Sequence, residues 1–121
     1  MYSAQVLDHF EHPRNAGSVE AADARVRIEN PACGDVLELS LKILSGRIEE
    51  IRFLARGCVA SMACASALTE LVSGGSIAEA RGLRREAIVE AVGGLPAASV
   101  HASHLAADAL AAALDQLERR G

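Results

Sequence analysis

The chain has few aromatic side chains. One Tyr, two Phe and no Trp make up 2% of its 121 residues, too few for the stacked platforms that hold single-stranded nucleic acid. Positive charge is not in excess either. Twelve Lys plus Arg stand against sixteen Asp plus Glu, a net charge of −4, and that balance argues against a phosphate-backbone binder. No apolar run reaches the ~18–20 residues that a membrane-spanning helix needs. Met1-Tyr2-Ser3-Ala4-Gln5 also lacks the basic start and apolar stretch of a secretory signal. The expectation is therefore a cytoplasmic protein with no nucleic-acid partner and no membrane partner. Cysteine is scarce and odd in number, at three. Disulfides are disfavoured in a reducing compartment, so Cys33, Cys58 and Cys64 are core filler, metal ligands or reactive thiols.

What is present is a hydrophobic share of 50% beside 23% charged residues, the composition of a folded chain. The length lies near the commonest domain size, so 1–121 reads as one domain. Ser3 can cap a first helix that ends before Pro13, with Val6, Leu7 and Phe10 as an apolar stripe. Residues 25–30 read as a short alternating strand. Residues 36–44 alternate more strongly, with Leu37, Leu39, Leu41 and Ile43 on one side. Ser45-Gly46 makes a turn into a third strand over 48–55.

After Gly57 the period changes. Residues 60–72 read as a buried helix, Ser76 with Glu79 as a capping box, and 86–92 as another short helix. Pro96 predicts an extended link over 95–100, and the last helix is expected from about Ser103 to Arg119. Strands first and helices after predict an α+β fold. Its three-stranded antiparallel sheet would carry helices packed mainly on one face, and a metal site would lie at one edge.

Chemistry concentrates at four places. Cys33 and Asp35 flank Gly34 in a tight loop between the first two strands, where a thiolate and a carboxylate can converge on a divalent metal. A buried cysteine beside a turn-forming aspartate is the other reading. Cys58 starts the long helix, whose free N–H groups stabilise a thiolate, or it simply plugs the corner. Cys64 lies six positions on, about 240° round the helix, and reads as core packing. His101 and His104 are three apart near the start of the last helix, either as a ligand or as partly exposed polar residues. His9 and His12 read as surface or capping residues, and Arg14 as a turn anchor. The topology permits Cys33, Asp35, Cys58 and His101 to meet at one sheet edge.

These residues resemble the IscU/NifU-type iron–sulfur cluster assembly scaffold proteins over nearly the whole chain. Tyr2-Ser3, Val6-Leu7-Asp8-His9-Phe10 and His12-Pro13-Arg14-Asn15-Ala16-Gly17-Ser18 look like the family's opening motif. Pro31-Ala32-Cys33-Gly34-Asp35 is similar to its first ligand loop, and Gly57-Cys58-Val59-Ala60-Ser61 to its second cysteine motif. Thr69-Glu70 falls where the following helix carries the same pair. The segment from Val100-His101 to Ala109-Leu110 resembles the family's "IHCS.LAEDA".

The resemblance implies a scaffold, not an enzyme, that holds a transient [2Fe–2S] cluster, or zinc when empty of iron. It implies Cys33, Asp35, Cys58 and His101 as ligands, with His104 and Cys64 as additional candidates. Implied partners are a cysteine desulfurase and acceptor apo-proteins, and a homodimer bridging one cluster is among the arrangements it allows. An alternative is a zinc-binding sulfur acceptor or desulfurase-regulating relative that builds no cluster. Two departures stand out. Ala102 replaces the family's third cysteine, the usual sulfur acceptor. Leu95-Pro96-Ala97-Ala98-Ser99 replaces "LPPVK", which is expected to weaken docking of the chaperone pair that reads that motif.

Overall fold

The alternating apolar positions of 35–55 become the centre of the sheet in the computed structural model of the chain, which describes residues 1–31 and 34–120. Among the described residues three strands pair antiparallel in the order β1 (Ala24–Asn30), β2 (Asp35–Leu44), β3 (Arg47–Arg56). Leu37, Leu39 and Leu41 of β2 and Ile48, Ile51 and Phe53 of β3 point to one side and are buried. Each contributes about 1.5–3 kcal/mol of burial free energy. The two-residue turn between β2 and β3 has Ser45 at φ 54° and Gly46 at φ 74°, the paired left-handed geometry that matches the twist of a tight hairpin.

Among the described residues five helices follow the sequence pattern: α1 (Ala4–Glu11), α2 (Val59–Val72), α3 (Ile77–Arg81), α4 (Arg85–Ala91) and α5 (His101–Arg120). Helix α2 packs on β3 and α5 on β1 and β2, so the helices gather on the apolar sheet face. α2 also touches α1, α4 and α5. Enclosed on so many sides, it buries Ala60, Ala63, Cys64, Ala67, Leu68 and Val72, as a helix apolar nearly all round must. Ser76 and Glu79 form the expected capping box at the start of α3.

Three expectations need correction. The stripe on α1 is not the buried one. Val6 is fully buried, but Leu7 and Phe10 are 42% and 38% exposed, and the second inward residue is His9, because its imidazole finds a partner on α2. The link after Pro96 is not extended throughout. Small residues there close a 3-10 turn over Ala97–Ser99, with the Ser99 N–H donating to the Pro96 carbonyl (2.8 Å). α5 consequently begins at His101, two residues earlier than expected. Inside that helix the Ser103 hydroxyl donates back to the Val100 carbonyl (2.7 Å). Chain outside the strands covers part of the outer sheet face and one sheet edge. The Val19 N–H donates to Ser40 Oγ (2.9 Å) across that face. The Phe53 N–H donates to the Asn15 carbonyl (3.0 Å) and the Gly17 N–H to the Phe53 carbonyl (2.8 Å). That pairing covers the β3 edge at Phe53, where open backbone groups would otherwise invite association.

Candidate metal centre

Three element ends meet at one edge of the sheet. Asp35 is the first residue of β2, Cys58 caps the N-terminus of α2 directly after β3, and His101 opens α5. Asp35 is buried at 3% exposure, while Cys58 and His101 are half-buried. The Cys58 backbone N–H donates to Asp35 Oδ1 (3.2 Å) and its thiol to Asp35 Oδ2 (3.4 Å). His101 Nε2 lies 3.3 Å from Asp35 Oδ2 and 3.8 Å from Cys58 Sγ.

Gly57 makes this closeness possible. Its φ is +142°, and a Cβ there would sit 2.1 Å from Asp35 Oδ1. Any side chain at 57 would occupy the place of the carboxylate, so the glycine before Cys58 is part of the site.

The three donor atoms fit a metal. A tetrahedral ion with bonds of about 2.0–2.3 Å to N, O and S has ligand-to-ligand edges of roughly 3.3–3.7 Å. The distances of 3.3, 3.4 and 3.8 Å between His101 Nε2, Asp35 Oδ2 and Cys58 Sγ describe one face of that tetrahedron. Among the described residues these three form the one group of His, Cys, Asp and Glu close enough to share an ion. The mixed set of imidazole, carboxylate and thiolate suits zinc or iron better than magnesium or calcium.

Of the residues singled out from the sequence, Asp35, Cys58 and His101 come together. Cys33 lies outside the described residues. Cys64 does not join them: it is fully buried in the core, and burial pushes its thiol up to about 12. His104 is exposed one turn along α5, beside a cleft it shares with His101, Asn30, Pro31 and Asp108, and stands apart from the three-residue group. His9 is not a surface residue. At 6% exposure its Nδ1 lies 2.8 Å from Ser66 Oγ, and its Nε2 faces Glu70 at 3.9 Å. Arg14 anchors its turn through Asp8 at 2.6 Å and approaches Glu70 at 3.8 Å.

One residue of the site escaped the sequence reading. Ser61 is 2% exposed. Its hydroxyl donates to Asp35 Oδ2 (2.5 Å) and lies 3.3 Å from Cys58 Sγ. The signal was present in the spacing. An N-cap side chain accepts from the backbone three residues on, and here the Ser61 N–H donates to Cys58 Sγ at 3.4 Å, which places the serine beside the cap.

An antiparallel three-stranded sheet covered by helices on one face, with a sulfur, a carboxylate and an imidazole meeting at its edge, defines the class of protein. The family model for the NifU-like N terminal domain matches residues 1–121, and the chain belongs to that family. It is 45% identical over 122 residues to the iron-sulfur cluster assembly scaffold protein IscU 1 of Archaeoglobus fulgidus, covering 100% of this chain and 80% of that protein. It is 42% identical over 117 residues to the scaffold protein IscU of Escherichia coli K12, covering 93% of this chain and 91% of the relative. The crystal structure of the N-terminal part of a NifU-like protein from Brucella abortus superposes with a TM-score of 0.82 at 18% identity, over 98% of this chain and 95% of that one. That last likeness speaks for the fold alone.

Proposed function

We propose that this chain is a scaffold on which [2Fe–2S] clusters are assembled from iron and sulfide and passed to acceptor apo-proteins. Cys33, Asp35, Cys58 and His101 would hold the cargo. The observation that carries this reading is the preformed tetrahedral face of Asp35, Cys58 and His101. The names of the relatives and the position of Cys33 in the family's first ligand loop support it. The two thiolates are the strong ligands. Asp35 and His101 are the exchangeable ones, because imidazole and carboxylate hold iron less firmly than thiolate and release it on protonation.

Sulfur would come from a cysteine desulfurase, and burial bears on which thiol accepts it. Ala102 is 1% exposed and carries no sulfur. Cys64 is enclosed in the core, so Cys33 or Cys58 receives the sulfane sulfur in exchange for the donor's thiol. The protein acts in the cytoplasm, has no turnover of its own and makes no use of nucleic acid. A homodimer can share one cluster. Chaperone docking is weak, because Leu95-Pro96-Ala97-Ala98-Ser99 lacks the lysine and second proline of the motif.

Zinc is the occupant favoured when iron is absent, since the same face meets its preferred geometry. The test is anaerobic loading with ferrous iron and sulfide, followed by addition of an apo-ferredoxin. Visible charge-transfer bands that pass from this chain to the ferredoxin support the scaffold reading. Tightly held zinc that iron and sulfide do not displace favours a zinc-dependent sulfur acceptor or a regulator of the desulfurase.

A further inference from the structure

We infer that Ser61 is the positioning residue of this site: its hydroxyl fixes the Asp35 carboxylate in the orientation that meets the metal. The inference rests on the metal-site reading above and concerns how that site is held together.

Asp35 is a carboxylate with 3% exposure, and burying such a group is costly unless donors reach it. Its Oδ2 faces the Cys58 thiol at 3.4 Å, His101 Nε2 at 3.3 Å and the Ser61 hydroxyl at 2.5 Å. The first two are ligand atoms themselves. When an ion binds, Cys58 gives up its thiol proton and His101 turns a lone pair to the metal, so neither remains a donor to Oδ2. The Ser61 hydroxyl keeps its proton. It continues to hold one lone pair of Oδ2 and leaves the other free for the ion, while the Cys58 backbone N–H holds Oδ1.

The serine is rigid enough for this role. It sits in the first turn of α2, 2% exposed, with its own N–H engaged by Cys58 Sγ at 3.4 Å. Cap, serine and carboxylate thus form a closed ring of contacts, in which Ser61 links the sulfur to the oxygen. Outer groups of this kind orient metal ligands, and their loss typically costs about 10–100-fold in affinity.

The test is a cobalt and zinc titration of the full chain for wild type, Ser61→Ala, Asp35→Ala and the double variant, each also melted without metal. Ser61→Ala is expected to bind both ions about 10–100-fold more weakly. Its thiolate-to-cobalt band should persist, because Cys58 still binds, while its visible d–d bands change as the carboxylate arm loosens. In the Asp35→Ala background the same substitution should change affinity by less than about twofold, since no carboxylate remains to be held.

Should Ser61→Ala fail to fold, the double variant decides. Recovered folding supports the assignment, and a double variant as unstable as the single one overturns it. Wild-type affinity in Ser61→Ala, or an equal loss in both backgrounds, also overturns it. Absence of metal binding by the wild type would overturn the metal-site reading itself, and this assignment with it.

Discussion

Gly57→Ala is the substitution that most tightly links backbone, carboxylate and metal. The new Cβ would lie 2.1 Å from Asp35 Oδ1 and 2.5 Å from its Cγ, so the Asp35 side chain must leave its place or the β3–α2 junction must shift. Backbone strain adds to this, because φ at 57 is +142° and an L residue there costs on the order of 1–3 kcal/mol. A displaced carboxylate also loses the Cys58 N–H and the Ser61 hydroxyl, and leaving buried polar groups unpaired costs about 1–3 kcal/mol. Together the loss is about 2–6 kcal/mol, a large part of the total for a domain of this size. It corresponds to a melting point roughly 8–24 °C lower. Circular dichroism melts and a zinc titration read the two effects, and zinc binding should weaken with the displaced Asp35. Asp35→Ala/Gly57→Ala removes the two nearest clashing atoms, Oδ1 and Cγ, so it should melt above Gly57→Ala alone. A Gly57→Ala protein that melts within about 3 °C of wild type and binds zinc as tightly would refute the reasoning.

Two further outcomes follow from titrating groups. Cys64 is buried with its thiol pushed up to about 12, so iodoacetamide at pH 8 should leave it unmodified in the folded chain and alkylate it only after denaturation; rapid native labelling would place it at the surface. His9 is held below its ordinary value of 6.5, first by burial and then by the Arg14 guanidinium, against the opposing pull of Glu70 and Asp8. The unfolded chain therefore takes up this proton more readily than the folded one. His9's contribution to stability is full above about pH 6.5 and falls as the pH drops below it, until the depressed folded value is passed. Denaturant titrations should show that slope, and His9→Gln should flatten it; an unchanged slope in the variant would assign the effect elsewhere.

Much of this was legible in the sequence, for reasons that differ by element. Leu37, Leu39 and Leu41 declare their strand because a period of two admits one burial pattern. Ser76 with Glu79 declares a helix start because the chemistry of the cap is local. Asp35, Cys58 and His101 could be placed at one edge because β-strand ends and helix starts are points the topology fixes. What the sequence hid was the choice of face and of partner. Leu7 and Phe10 outrank His9 in hydropathy, yet His9 turns inward because Ser66, 57 positions away, supplies its hydrogen bond. The helix expected from Ser103 begins at His101, because the 3-10 turn after Pro96 leads straight into α5. Ser61 is an ordinary helix residue until Cys58 is seen as a cap and Asp35 as its neighbour across the sheet edge.

The central claim is that Cys58, with Asp35 and His101, holds iron and sulfide. The most direct measurement is a count of iron, sulfide and zinc after anaerobic loading of the wild type and Cys58→Ser, with a visible spectrum of each. About two irons and two sulfides per cluster in the wild type, with charge-transfer bands that Cys58→Ser lacks, is the predicted result. Equal iron and sulfide in both proteins, or none in either, would contradict it.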